Sequence, residues 1–140
     1  MPLWFIKALQ KNRLKLQEII ENISKEPSLH LVFKNNNLVN SFKEEYDKTT
    51  DLSAFIKNKK QVKDLDGYEK GHWWVQDLSS MMPLHLSPEI KSKKVLDMCA
   101  APGGKSFQAI SLNNNVTLND ISLKRIKILS TNLKRLNFSN

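Results

Sequence analysis

Leu9, Leu16, Ile20 and Ile23 recur at helical spacing, while Lys7, Lys11, Arg13, Glu18 and Glu21 occupy other faces. Residues 3 to about 23 are expected to form one amphipathic helix, closed by Pro27. Residues 28–34 place Leu29, Leu31 and Phe33 on one face of a half-buried strand, although Val32 breaks the alternation. Asn35, Asn36 and Asn37 make a turn. A short helix is expected over 38–46, and strands over 52–56 and 61–65. Together these make a small α+β piece, residues 1–66.

The pattern changes at Gly67. Residues 71–83 are dense in aromatic and polar side chains, and a basic stretch leads into Val95-Leu96-Asp97-Met98-Cys99. That short apolar run suits a buried parallel strand. A tight loop follows at 100–104, then a helix over 105–112 and an Asn113-Asn114-Asn115 turn. The next strand covers 116–118 and ends at Asn119-Asp120. Ser122 is placed to cap a last helix whose stripe is Ile126, Leu129, Leu133 and Leu136. Strand, helix, strand, helix is a βαβα unit with an expected right-handed crossover. Two parallel strands do not make a stable α/β sheet alone. The expectation is therefore the amino-terminal, truncated part of a larger α/β domain, residues 67–140.

Composition narrows the class. No run approaches the roughly 18 apolar residues of a membrane helix, and the mixed amino end does not read as a secretory leader. The single cysteine, Cys99, excludes an internal disulfide or a cysteine-rich metal site. His30, His72 and His85 show no metal-ligand spacing. A cytoplasmic protein without a bound metal is expected. The 140 residues carry 22 Lys plus Arg against 14 Asp plus Glu, a net charge of +8. Such a balance attracts polyanions, and nucleic acid is the usual one.

Candidate chemistry lies in the loop Asp97-Met98-Cys99-Ala100-Ala101-Pro102-Gly103-Gly104-Lys105-Ser106. Glycines between a strand and a helix let backbone approach a ligand, and the helix start offers free N–H groups. A Walker loop requires a glycine where Cys99 stands, and a dinucleotide fingerprint requires a third glycine. The remaining reading is S-adenosylmethionine, with Asp120 as the ribose carboxylate about 20 residues beyond the loop. Asp97 would face the cationic end of that ligand. Asp120 reads equally well as a helix-start residue.

The combination is more specific than its parts. Asp97 to Ser106 resembles the first motif of the RNA cytosine-C5 methyltransferases of the Nol/Nop/Sun (Fmu) family, D-x-C-A-A-P-G-G-K-T, with Ser106 in place of Thr. Gly71-His72-Trp73-Trp74-Val75-Gln76-Asp77-Leu78-Ser79-Ser80 is similar to that family's G-x-W-x-V-Q-D-x-S/A-S segment. Asn119 to Arg125 and Asn132 to Leu136 match its D-x-S-x-x-R and N-x-x-R-L patterns. The Trp73-Trp74 pair and the Pro2-Leu3-Trp4 opening resemble bacterial 16S ribosomal RNA enzymes of the RsmB type.

The resemblance implies a Rossmann-like fold and S-adenosylmethionine bound by Cys99, Ala100, Ala101, Pro102, Gly103, Gly104, Lys105 and Asp120. It implies small-subunit ribosomal RNA as substrate, a monomer when complete, and an RNA-binding role for residues 1–66. In that family a cysteine thiolate adds to C6 of cytosine and turns C5 into the nucleophile. The thiol belongs to a Thr-Cys motif on a later strand, so no catalytic residue is assigned here, and the isolated chain is expected to be inactive. A non-catalytic basic RNA-binding module with a vestigial cofactor fold is the alternative.

Other residues carry two readings. Trp73 and Trp74 could stack a base, or pack between the two pieces, the favoured reading. Gln76 and Asp77 could order the loop or cap the helix beginning there. Lys105 could meet RNA phosphate, the cofactor carboxylate, or neither. Lys124, Arg125, Lys134 and Arg135 are expected on a solvated face, with Arg125 the best candidate among them for a structural pair.

Overall fold

The structure, a computed structural model, describes residues 2–12, 15–57, 60–87 and 89–138. The expected first helix is two, α1 (Leu3–Lys11) and α2 (Leu16–Ser24). Asn12 ends α1, because its side-chain amide takes the Ala8 carbonyl at 2.8 Å and competes with helical continuation. Arg13 lies outside the described residues. Only Leu9 of the expected stripe is buried, and Ile20 and Ile23 face solvent.

The first sheet is antiparallel, in the order β2-β3-β1-β4. Its strands are β1 (His30–Phe33), β2 (Tyr46–Thr50), β3 (Ser53–Ile56) and β4 (Trp73–Val75). A short helix, α3 (Asn36–Asn40), follows β1 and is capped by the Asn35 side chain, which accepts from Leu38 N–H at 3.1 Å. It begins earlier and ends earlier than expected, since the chain from Tyr46 is extended as β2. The segment 61–65, expected as a strand, contains a single 3-10 turn, Val62–Asp64. Leu65 and Val62 pack from it onto the core.

Val32 breaks the alternation because both faces of β1 are covered. Leu31 and Phe33 join Val39, Phe42, Ala54, Ile56 and Trp73 in one core. Val32 and Trp74, partners across β1 and β4, enter a second core with Met81, Phe107, Leu129 and Leu136. Adjacent residues of a strand point to opposite sides, so Trp73-Trp74 places one indole in each core. Both are fully buried, and packing rather than base stacking is their role.

The second core roofs the βαβα unit. Helix α4 (Leu78–His85) leads to β5 (Lys94–Asp97), α5 (Gly104–Ser111), β6 (Asn115–Leu118) and α6 (Leu123–Arg135). Strands β5 and β6 are parallel, pairing Val95 with Val116 and Asp97 with Leu118. Ser122 caps α6 by accepting from Arg125 N–H. Val116 is buried, whereas Leu96 and Met98 are 58% and 63% exposed. One side of this two-stranded sheet is bare.

The carboxyl end of α6 is anchored against the first sheet. Arg135 donates to the carbonyls of Tyr68 at 2.8 Å and Trp73 at 3.2 Å, and its guanidinium lies 4.2 Å from the Tyr68 ring centroid. It is therefore an interior strut, not the solvated cation expected. Lys34 donates to the Leu136 carbonyl and lies over the Phe138 ring. Burial, and then the Arg135 charge, hold the Lys34 amine below its ordinary range. Gly71 has φ +63°, and a side chain there would collide with the Arg135 carbonyl. Only glycine tolerates both conditions cheaply.

Candidate cofactor-binding site

The β5–α5 loop is fixed from below at nearly every residue. Asp97 accepts from the Cys99 N–H at 3.2 Å and from the Ser106 hydroxyl at 2.6 Å. That second bond needs only a hydroxyl, which Ser106 supplies as well as Thr. Asp97 thus closes the loop upon itself. Strand pairing extends past β6, with Asn119 N–H donating to the Asp97 carbonyl and Ala100 N–H to the Asn119 carbonyl, both at 2.9 Å.

Beyond that point α6 takes over. Ala101 N–H donates to the Asp120 carboxylate at 3.1 Å, Arg125 donates to the Ala101 carbonyl, and Asn132 to the Pro102 carbonyl at 3.2 Å. Arg125 also pairs with Asp120 at 3.3 Å, the structural partnership expected of it. The Asp120 side chain is only 1% exposed. Hydrogen bonds from the backbone N–H of Ser122, then of Ala101, together with the Arg125 charge hold its carboxyl below the ordinary range, against the effect of burial.

Gly103 turns the chain into α5 with φ +126°, and any Cβ there would fall inside the Phe107 ring. Its neighbour differs: a Cβ on Gly104 would meet the Gln76 stem at 3.4 Å, an ordinary contact. The two glycines are therefore unequal, one required by backbone and packing, the other open toward the cleft. Gly103 has no side chain with which to cap α5, so the first-turn N–H groups of Gly104 and Lys105 are left for solvent or a ligand.

Above this floor is a cleft of about 240 Å³. It is lined by Val75, Gln76, Ser80, Asp97 and every residue from Cys99 to Lys105. Seven of the eight cofactor residues expected from sequence are thus brought together (Cys99, Ala100, Ala101, Pro102, Gly103, Gly104 and Lys105). Asp120 lies beneath them, turned onto the loop backbone. Cys99 is exposed and Lys105 projects to solvent. No group of three or more metal-ligating side chains occurs among the described residues, and none of their helices is long and apolar enough to cross a membrane.

Gln76 and Asp77 divide the roles expected of either. Asp77 caps α4, accepting from Ser80 N–H at 3.1 Å. The Ser79 hydroxyl, then that amide, hold its carboxyl below the ordinary range. Gln76 is buried instead. It accepts from Trp74 Nε1–H at 2.8 Å and donates to Gln108 Oε1 at 2.9 Å. Sequence periodicity carries no trace of this contact, because Gln76 and Gln108 are 32 positions apart.

A strand, a glycine-bearing loop clamped by a carboxylate just beyond the second strand, and a helix start form the arrangement in which α/β folds can receive a nucleotide-type cofactor. The family model of the 16S rRNA methyltransferase RsmB/F matches residues 83–140. Over that segment the chain is similar to the RsmB/F methyltransferase family. Among curated relatives, ribosomal RNA small subunit methyltransferase B of Photorhabdus laumondii is 44% identical over 75 residues, covering 52% of this chain and 18% of the relative. The human 28S rRNA (cytosine(4447)-C(5))-methyltransferase is 37% identical over 76 residues, covering 52% and 9%. The chain thus aligns with less than a fifth of either relative's length. A solved methyltransferase homolog from Pyrococcus horikoshii superposes with a TM-score of 0.70 at 21% identity, covering 86% of this chain and 44% of that one. That likeness establishes the fold, α/β and Rossmann-like.

Proposed function

We propose that this chain holds the methyl-donor end of an S-adenosylmethionine-dependent RNA cytosine-C5 methyltransferase acting on small-subunit ribosomal RNA. The observation that carries the reading is the cleft over Asp97 and residues 99–105, whose glycine turn exposes the first amides of α5. Bound there, the cofactor would supply a methyl group on a sulfonium. The N–H groups of Gly104 and Lys105 suit its carboxylate, and the Asp97 carboxylate suits the cationic centre. At about 240 Å³ the cleft is smaller than the roughly 300–1,000 Å³ of most whole-ligand pockets, so it seats one part of the molecule. Asp120 shapes the loop through Ala101. A ribose would reach its carboxylate only with Arg125 displaced.

Residues 1–66 serve as the RNA-facing piece and residues 67–140 as the start of the methyltransferase domain. Cys99 is the only thiol in the chain, and its place in the loop puts it on the cofactor side. The nucleophile for C6 is therefore assigned elsewhere in the complete enzyme. Calorimetry with S-adenosylmethionine and with ATP tests the reading. S-adenosylmethionine is expected to bind and ATP not, and Gly103→Val to lose the binding. Tighter binding of ATP would overturn it.

A further inference from the structure

The loop is held from below by β6 and α6, and among the described residues one side chain at the end of the first sheet hydrogen-bonds to α5, the helix into which the loop leads. That side chain is Gln76, on the residue after β4. Its backbone N–H donates to the His30 carbonyl at 3.2 Å, and its carbonyl takes a hydrogen bond from His30 Nδ1–H at 2.7 Å. His30 Nε2 in turn bonds the Thr49 hydroxyl at 2.9 Å, so Gln76 is locked onto β1 and the β2–β3 hairpin. Its carboxamide points the other way. Oε1 is occupied by the Trp74 indole, and Nε2 donates to Gln108 in the middle of α5. Gln108 passes the chain on, donating to the Met81 carbonyl of α4 at 2.9 Å. Gln76 and Gln108 are both buried.

We propose that Gln76 is a positioning residue for the methyl-donor site: its bond to Gln108 sets where α5, and hence the Gly103–Lys105 turn, stands relative to the first sheet. A buried amide pair fixes separation and orientation together, whereas apolar contact between the same two segments leaves both free to slide. The carboxamide is not itself a ligand group, because Trp74 and Gln108 occupy it. Only its aliphatic stem reaches the cleft, opposite Gly104. The proposal rests on the cofactor reading above for its ligand, though not for its geometry.

Three variants of the full chain test it: Gln76→Leu, Gln108→Leu and the double variant, with Gln76→Glu as a fourth that keeps the acceptor for Trp74. Amide hydrogen exchange needs no ligand. Exchange at Phe107 N–H, which bonds the Gly103 carbonyl, is expected to rise about tenfold in each single variant and no further in the double. Leu129 in α6 is expected to remain unchanged. Residues that act through one shared bond give such non-additive effects. S-adenosylmethionine affinity, measured well below the melting temperature, is expected to fall in parallel, with Gln76→Glu as weak as Gln108→Leu. Unchanged exchange at Phe107, additive effects, or an equal rise in α5 and α6 would overturn the proposal, the last because it would make Gln76 a general stabiliser. Altered exchange in a chain that binds no S-adenosylmethionine would retain the positioning role and overturn the cofactor reading instead.

Discussion

The two sheets bury their apolar residues in contrasting ways. In the antiparallel sheet, Leu31 and Val32 point to opposite sides and both are fully covered, one by the Trp73 core and the other by the Trp74 core. In the parallel pair, Val116 is covered while Leu96 and Met98 are left in solvent. Covering both faces of a strand requires layers contributed from well separated segments. The first sheet obtains one layer from α3, Phe42 and residues 62–68, and the other from α4, α5 and α6. The second sheet has helices on one side only. Stability should therefore concentrate in the first sheet, and the second should answer to whatever it binds.

The largest expected effect comes from the residue that joins the two. Trp74→Ala empties the second core between Val32, Phe107 and Phe138, at a cost of about 3–5 kcal/mol. Denaturant titration followed by circular dichroism measures it, and a loss below 1 kcal/mol would mean the two regions are independent. Next comes Gly103→Ala, which combines a left-handed φ with a collision against Phe107. Backbone strain of this kind costs about 1–3 kcal/mol. Gly104→Ala should cost less, because its new Cβ makes only an ordinary contact. Equal effects at both positions would contradict the unequal roles of the two glycines.

A pH titration sharpens the contrast within the loop. The folded Asp120 carboxyl lies below its ordinary value of 3.8. Its ionised form therefore adds stability above that value, and the contribution is lost as pH falls through the lower folded value. Asp120→Asn should flatten the acid limb of the stability curve below about pH 4, with little change in its slope near pH 7. An undiminished acid limb would remove Asp120 from the loop clamp. The smallest expected effect is at the bare face: Leu96→Ser should shift stability by no more than about 0.5 kcal/mol, against about 2–5 kcal/mol for Leu31→Ala. A loss near the second figure for Leu96 would show that the face is covered in solution.

The α/β portion was legible because its signals are local. An apolar run, a glycine pair, an Asn turn and a Ser cap fall within a few residues of one another, and they became β5, the loop, α5, β6 and α6. The first portion was less legible. Tyr46 to Thr50 is a polar edge strand whose partner, β3, decides its conformation, and no periodicity announces it. Strand β4 is three residues long and exists because β1 pairs with it. Arg135 follows the pattern of an exposed helical cation until the carbonyls of Tyr68 and Trp73 receive it. Gln76 shares two readings with Asp77, and only Asp77 makes the cap. In each case the missing information was a partner distant in sequence, the quantity that spacing does not encode.

The Trp74 core also imposes an order on synthesis. All four strands of the first sheet have been made once Val75 leaves the ribosome, yet Phe107 and Phe138 come 32 and 63 positions after Val75. At translation rates of about 5–20 residues per second, the nascent chain carries an uncovered tryptophan face for roughly 3–13 seconds. During that interval it presents Val32 and Trp74 to its surroundings as a sticky surface, a natural target for holdase chaperones. A ribosome stalled between Gly103 and Asn132 would hold the chain in that state, with one side of its sheet finished and the other still waiting for its roof.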